Sequence, residues 1–475
     1  MNRIIGRKKE IEDLENLYKS NRSEFVIVYG RRRIGKTFII NSTFEKRMTF
    51  SFTGARNQPQ HIQLQHFSEQ LKIFSQSQFA PELKNWEDAF KHLKTLIDSL
   101  PKTERKVIFF DEMPWIDTHK SSFVAALEYF WNSWAAQRTD ILFIACGSAT
   151  SWMVDKLIEN QGGLHNRITA QIYLRPFTLC ECEQMLHANG CVWDKYTILQ
   201  CYMILGGVPF YLSILNSRES LAQNINRLFF EKNALMKNEF EELFNALFNQ
   251  ADNYIEVVSA LAQKREGLQR KELIEKTKIS GGGLSKILDN LERCDFITSY
   301  SKYKSTIRNS FYRISDNYLL FYFKFVRGNN TKDYQYWTNN LSTPAVVAWQ
   351  GFSFENVCLQ HLAQIKKKLG INGIATNSCS WRKLGSTTTK GTQIDLLIDR
   401  NDRIINICEM KFSQTPYSIT KEYENNLRLK MAYFTEETQT RKTLVLTMIT
   451  TYGILPGIHS GVVGNEVDMN DLFAE

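Results

Sequence analysis

The run Phe25-Val26-Ile27-Val28-Tyr29 is continuously apolar, with no polar alternation. A strand of that kind buries both faces, the habit of a parallel sheet covered by helices. It leads without a break into Gly30-Arg31-Arg32-Arg33-Ile34-Gly35-Lys36-Thr37, then Phe38-Ile39-Ile40, where a helix is expected to start. Two more runs share this character. Val107-Ile108-Phe109-Phe110 ends in Asp111-Glu112, and Ile141-Leu142-Phe143-Ile144-Ala145 ends in Cys146-Gly147-Ser148. From Pro176 to Glu242 the pattern reads as helices with short polar breaks. Beyond Asn253 three short helices are predicted: Tyr254 to Ala262, Arg270 to Thr277, and one with Leu284, Ile287, Leu288 and Leu291 at i, i+3, i+4 and i+7. Phe296-Ile297 and Phe311 to Ile314 read as the two strands of a wing. Near the end, Thr392 to Asp399 and Arg403 to Lys411 predict two strands around the polar turn Arg400-Asn401-Asp402.

The strand–loop–helix setting gives the G-x-x-x-x-G-K-[ST] pattern at Gly30–Thr37 its meaning as a P-loop. Two glycines let the backbone curl so that its N–H groups face phosphate oxygens, and the helix start adds partial positive charge. Lys36 is expected to reach the β- and γ-phosphates of ATP, and the Thr37 hydroxyl to complete the shell of Mg²⁺. Arg31, Arg32 and Arg33 are in reach of phosphate, though solvated loop charges explain them as well. Asp111 sits where a carboxylate holds Mg²⁺ through water, and Glu112 where a base polarises the attacking water. Ser148, at the end of the third run, is a candidate for the γ-phosphate or a plain turn serine.

The second constellation is carboxyl-terminal. A hairpin centred near Asp402 sets Asp395 opposite Glu409, and period-two alternation puts Lys411 on the face of Glu409. Two acids and a lysine suit a divalent-metal phosphodiesterase, with Glu355, on a preceding amphipathic helix, able to join them. A salt-bridged surface hairpin has the same spacing.

Composition narrows little. The 475 residues are 43% hydrophobic and 23% charged, the balance of a globular protein with about three domains. A formal charge of +9 permits DNA binding without requiring it. None of the nine cysteines stands in C-x-x-C spacing; Cys180 and Cys182 are the closest pair, and reduced core thiols are expected. The start of the chain has no apolar secretion segment, and Tyr318 to Val326 is too short to span a bilayer. A cytoplasmic protein without a membrane partner is expected.

Ile5-Gly6-Arg7 with Glu10 and Leu14, followed by the P-loop and the Asp111-Glu112 strand, resembles the AAA+ and STAND ATPases, most closely their archaeal-type branch. The resemblance implies that Ile5, Gly6 and Arg7 cover the adenine. It also implies that Gly206-Gly207-Val208-Pro209-Phe210-Tyr211-Leu212 is the lid element whose Gly207–Pro209 turn lies near the nucleotide. Arg167 falls where such proteins often sense the γ-phosphate; a surface salt-bridge arginine is the other reading. The third helix, opened by Gly281-Gly282-Gly283, has Ser285 and Lys286 for DNA, with Lys302, Lys304 and Arg308 on the wing. A winged helix that only packs domains together fits equally. Phe354-Glu355, Gln393-Ile394-Asp395 and Cys408-Glu409-Met410-Lys411 resemble the motif blocks of the PD-(D/E)XK nuclease fold, Ile394 replacing the usual proline.

The expected architecture is therefore α/β: a P-loop parallel-sheet ATPase core over 1–175, a helical lid over 176–248, a winged helix with linker helix over 249–330, and a PD-(D/E)XK-like α/β domain over 345–475. The expected activity is ATP hydrolysis coupled to metal-dependent cleavage of DNA. The alternative is an ATP-driven signalling or assembly switch whose last domain only docks DNA or protein. Oligomerisation is left open.

Overall fold

The computed structural model describes residues 4–148, 151–158, 163–164, 166–248, 250–305, 310–383 and 391–475. The chain forms two compact units, Met1–Pro176 with Asp289–Cys294, and Phe177–Leu288 with Asp295–Glu475.

In the first unit the apolar runs become strands of one all-parallel sheet. They are β1 (Glu24–Gly30), β2 (Met48–Thr53), β3 (Lys106–Asp111), β4 (Ile141–Ser148) and β5 (Ala170–Leu174), ordered β2-β3-β4-β1-β5. Alternation along β1 sends Phe25 and Ile27 into one core and Val26 and Val28 into another. Phe67, Trp86, Phe90 and Phe130 cover the first face; Leu14, Ile39, Ile40 and Phe44 cover the second. Each such side chain, buried whole, contributes about 1.5–3 kcal/mol. A sheet dry on both faces explains the unbroken apolar runs Phe25–Tyr29, Val107–Phe110 and Ile141–Ala145 within β1, β3 and β4.

The second unit starts with helices Leu179–Ala188 and Lys195–Leu205. The first has a capping box: the Thr178 hydroxyl accepts from the Glu181 amide at 3.3 Å, and the Glu181 carboxylate from the Thr178 amide at 2.9 Å. Helices Ala251–Ala262, Arg270–Thr277 and Gly281–Arg293 follow, the last shared between the units, with the antiparallel sheet β6 (Leu268–Gln269), β8 (Phe311–Ile314) and β7 (Ile297–Tyr300). A mixed sheet ends the chain: β9 (Thr376–Lys383), β10 (Thr392–Arg400), β11 (Ile404–Lys411), β12 (Thr443–Thr450) and β13 (Asn465–Val467), ordered β13-β12-β11-β10-β9. Strands β9 to β11 pair antiparallel, β11 to β13 parallel. Leu427 and Phe434, from helix Lys421–Thr438, share a core with Ile394, Leu397, Ile405 and Ile407.

The wing is not free. Lys302 bridges in parallel to Ser380 of β9, the Tyr303 amide donates to the Ser380 carbonyl at 2.8 Å, and the Tyr303 ring lies 5.1 Å from that of Phe434. Lys304 donates to the Thr438 carbonyl at 2.9 Å, and Lys302 rests over the Phe311 ring. Both wing lysines are thus engaged inside the unit, and Arg308 lies outside the described residues. All nine cysteines are free thiols, eight of them buried. Among the described residues no helix is long and apolar enough to cross a membrane.

Candidate functional site

The P-loop leaves the carboxyl end of β1, between β4 and β5, where an open parallel sheet presents its crevice. Gly35 caps helix Lys36–Phe44 with φ 85°, a left-handed conformation that a side chain would strain. Lys36 is buried, its ammonium donating to the carbonyls of Arg31 at 2.9 Å and Gly30 at 3.3 Å. The Thr37 hydroxyl donates to the Asp111 carboxylate at 2.7 Å. The other Asp111 oxygen accepts from the Glu112 amide at 2.9 Å, which turns Glu112 into left-handed backbone at φ 47°. Burial pushes the Glu112 carboxyl up, Lys36 draws it back, and Asp111 raises it again. One hydroxyl and one carboxylate in contact form an all-oxygen donor pair, the chemistry Mg²⁺ selects, so these residues fit that ion.

The neighbours arrange themselves unevenly. Arg7, buried at the start of helix Lys8–Lys19, donates to the Ile34 carbonyl at 3.4 Å, so the Ile5-Gly6-Arg7 segment lies beside the P-loop. Ser148 is buried at the end of β4, in register with Gly30. Arg31 is 1% exposed, so the solvated loop charge allowed by the sequence does not apply to it. Arg32 stacks over Trp115 at 5.9 Å, Arg33 takes φ 69°, and Phe38 is exposed on the helix. Arg167 is a correction. It is exposed in the turn before β5, whose first pair is Ala170 with Val26 near the start of β1. Parallel register places that turn at the end of the sheet opposite the P-loop, so Arg167 does not join the site from its own chain.

Gly207 and Pro209 belong to the second unit. A Cβ at Gly207 would stand 2.0 Å from the Phe177 carbonyl oxygen, and the Phe177 amide donates to the Gly207 carbonyl at 2.6 Å. Backbone-to-backbone approach therefore accounts for this glycine, while Pro209 opens a short helix at its first position.

Sequence reasoning passed over Gln63, Trp115 and Cys146. Gln63, fully buried, accepts from the Ala55 amide at 3.0 Å and donates to the Ala55 and Trp115 carbonyls, bracing the loops beside Asp111. Cys146 lies on β4 next to Asp111, and burial holds its thiol well above the usual range. No local pattern marks these residues, since their partners are distant in sequence.

In the carboxyl-terminal sheet Leu396 pairs with Cys408 and Asp399 with Ile405, and the pairing ends there, one step short of Asp395 and Glu409, where β10 is irregular between Ile394 and Leu397. Glu409 is 9% exposed and bound by two ammonium groups, Lys430 at 2.8 Å and Lys411 at 3.2 Å. Burial pushes its carboxyl up, yet the lysines hold it below the usual range. Asp395 accepts from the Gln393 side chain at 2.5 Å. Glu355 is paired with Arg265, which lies over the Phe352 ring at 4.6 Å; burial and Asp395 raise the Glu355 carboxyl. Half-buried Arg313, over the Tyr300 ring, feels both Asp395 and Glu355. Among the described residues no group of three or more His, Cys, Asp or Glu side chains is arranged to hold a metal ion. Expected as metal ligands, Glu355, Asp395 and Glu409 are each engaged by another side chain: Arg265, Gln393, and Lys430 with Lys411.

Residues 4–215 match the family model of an ATPase domain predominantly from Archaea. A Methanocaldococcus jannaschii protein described as uncharacterized is 24% identical over 423 residues, 86% of this chain and 87% of its own. Another from that organism, described as an uncharacterized ATP-binding protein, is 42% identical over 44 residues, 9% of this chain and 75% of its own. Among solved structures, the Walker-type ATPase of Pyrococcus abyssi superposes with a TM-score of 0.51 at 17% identity, over 68% of this chain and 96% of that one, a likeness of fold. What the chain shares with ATPase domains of the archaeal type is thus the match over residues 4–215 and the parallel sheet that carries the P-loop.

Proposed function

We propose that the first unit binds ATP with Mg²⁺ and hydrolyses it, on the strength of the 2.7 Å contact between Thr37 and Asp111 beside buried Lys36. Lys36 exchanges its loop carbonyls for phosphate oxygens, while Thr37 and Asp111 are the residues that would hold Mg²⁺. That ion, when bound, screens the charge that develops on the phosphates. Glu112 orients the attacking water and takes up its proton, a task suited to a carboxyl whose burial raises its proton affinity. Arg7 and Ile5-Gly6 close over the base from the side of Ile34. The test is nucleotide binding and turnover by Lys36→Ala, expected to lose both; unchanged ATP affinity would refute the reading.

For the second unit we favour an ATP-dependent switch that carries a DNA- or protein-docking module. The three helices and the β6–β8 sheet are read as a winged helix, with Gly282, Gly283 and Lys286 exposed at the start of the third helix. The second reading, DNA cleavage by the last domain, draws on Asp395 and Glu409 lying on the paired strands β10 and β11, with Lys411 against Glu409. It requires Arg265 and Lys430 to release their carboxylates first. Plasmid cleavage with Mg²⁺ or Mn²⁺, with and without ATP, compared with Glu409→Ala, separates the two. Cleavage lost on substitution establishes the nuclease; none in the wild type supports the switch.

A further inference from the structure

A cavity of about 370 Å³ opens in the second unit between three elements: the end of helix Ala251–Ala262, the segment Leu320–Lys324, and helix Pro344–Gln360. That is the size of a small-ligand site rather than a packing defect. Phe323, Trp349 and Phe352 supply flat apolar wall, and Lys264, Arg265 and Lys324 are its charged residues; no carboxylate lines it.

We propose that this cavity binds a small planar aromatic anion, its carboxylate or phosphate taken by Arg265 and its ring held against Trp349 and Phe352. The ring is argued from shape. Trp349 is 6% exposed, braced edge-on by Phe321, Phe325 and Trp337, so it offers a rigid wall that loses little freedom when covered. The charge is argued from two observations. Lys324 is exposed, and no ion pair is found for it among the described residues, whereas Lys264 is neutralised by Glu272 at 2.8 Å. Arg265 is half-exposed, already flattened over the Phe352 ring, and holds only one carboxylate, that of Glu355. A guanidinium in that pose accepts a second oxyanion by rotating its fork. The ligand therefore competes with Glu355 for Arg265, so that occupancy of the cavity and release of Glu355 are linked.

The experiment is calorimetric titration of the full chain with 2-naphthoate, 2-naphthyl phosphate and neutral 2-naphthol. Binding of at least one anion at one-to-one stoichiometry is expected, with 2-naphthol about tenfold weaker or more. Whichever anion binds tighter identifies the head group. Ala348→Trp, which builds from an exposed helix position into the cavity, is expected to abolish binding. Arg265→Gln should bring the anions down to the level of 2-naphthol. Glu355→Gln, which removes the competitor, should tighten them by about two- to fivefold, the worth of a half-exposed ion pair. No binding by either anion, equal binding of 2-naphthol, full binding in a folded Ala348→Trp, or weaker binding in Glu355→Gln would each overturn the proposal.

Discussion

His361 is 1% exposed, and both of its ring nitrogens are engaged. Nε2 accepts from the Leu179 amide at 3.1 Å, at the first turn of helix Leu179–Ala188, which obliges Nδ1 to carry the proton it gives to the Val357 carbonyl at 2.8 Å. The Tyr202 ring closes the site edge-on at 5.3 Å. A second proton on Nε2 would face an N–H and the positive end of a helix. Burial accordingly depresses the ring to about 4, only partly countered by the Val357 carbonyl. The unfolded chain titrates near 6.5, so between these values the unfolded state binds more protons, and stability falls as pH drops through that window. The stabilisation is complete above about pH 6.5; lowering pH from about 7.5 to 5 removes about 2 kcal/mol of it. His361→Gln keeps a neutral acceptor for the Leu179 amide but cannot titrate. The assay is urea unfolding of both proteins at the two pH values, in which the remaining histidines cancel. The wild type should lose about 2 kcal/mol more than the variant on acidification. Equal losses in the two would refute the neutral, doubly engaged imidazole.

Glu112→Gln keeps the geometry at Asp111 but removes the proton acceptor; nucleotide affinity should hold while the ATPase rate falls by about 100-fold or more, as followed by phosphate release. Asp111→Ala strips the carboxylate from Thr37, and its Mg²⁺-dependent increase in ATP affinity should vanish in titrations run with and without the ion. Lys430→Met leaves buried Glu409 with Lys411 alone and should cost about 1–3 kcal/mol of stability near neutral pH. Because Glu409 is held below its ordinary range, that penalty should shrink as acid protonates it; a pH-independent loss in thermal unfolding would refute the assignment.

The nucleotide site was readable because its parts are contiguous. A run of five apolar residues can only be a strand covered on both sides, and the glycines and lysine follow within one loop, so Gly30 to Thr37 carry their own geometry. Hairpin register was readable for the same reason: a turn near Asp402 and a period of two oblige Leu396 to meet Cys408. The edge strands were not: only the folded sheet sets β2 beside β3 and β5 beside β1, brings Ser148 level with Gly30, and by its parallel register sends Arg167 to the far end. Gln63, reaching Ala55 and Trp115, left no local trace.

The acid cluster divides along the same line. Glu355, Asp395, Glu409 and Lys411 could be named from spacing, because each sits on an element whose period is local. Their partners could not. Arg265 lies 90 residues before Glu355 and Lys430 is 21 beyond Glu409, on separate elements that meet these acids only in the folded unit. A buried carboxylate must take the nearest cation to repay its lost hydration, and which cation is nearest is a property of packing. The chain's local order thus determined a P-loop, a strand ending in Asp111-Glu112 and the register of a hairpin that carries two acids. Tertiary structure alone decided that Thr37 and Asp111 meet at 2.7 Å, and that Glu355 is paired with Arg265 and Glu409 with Lys430.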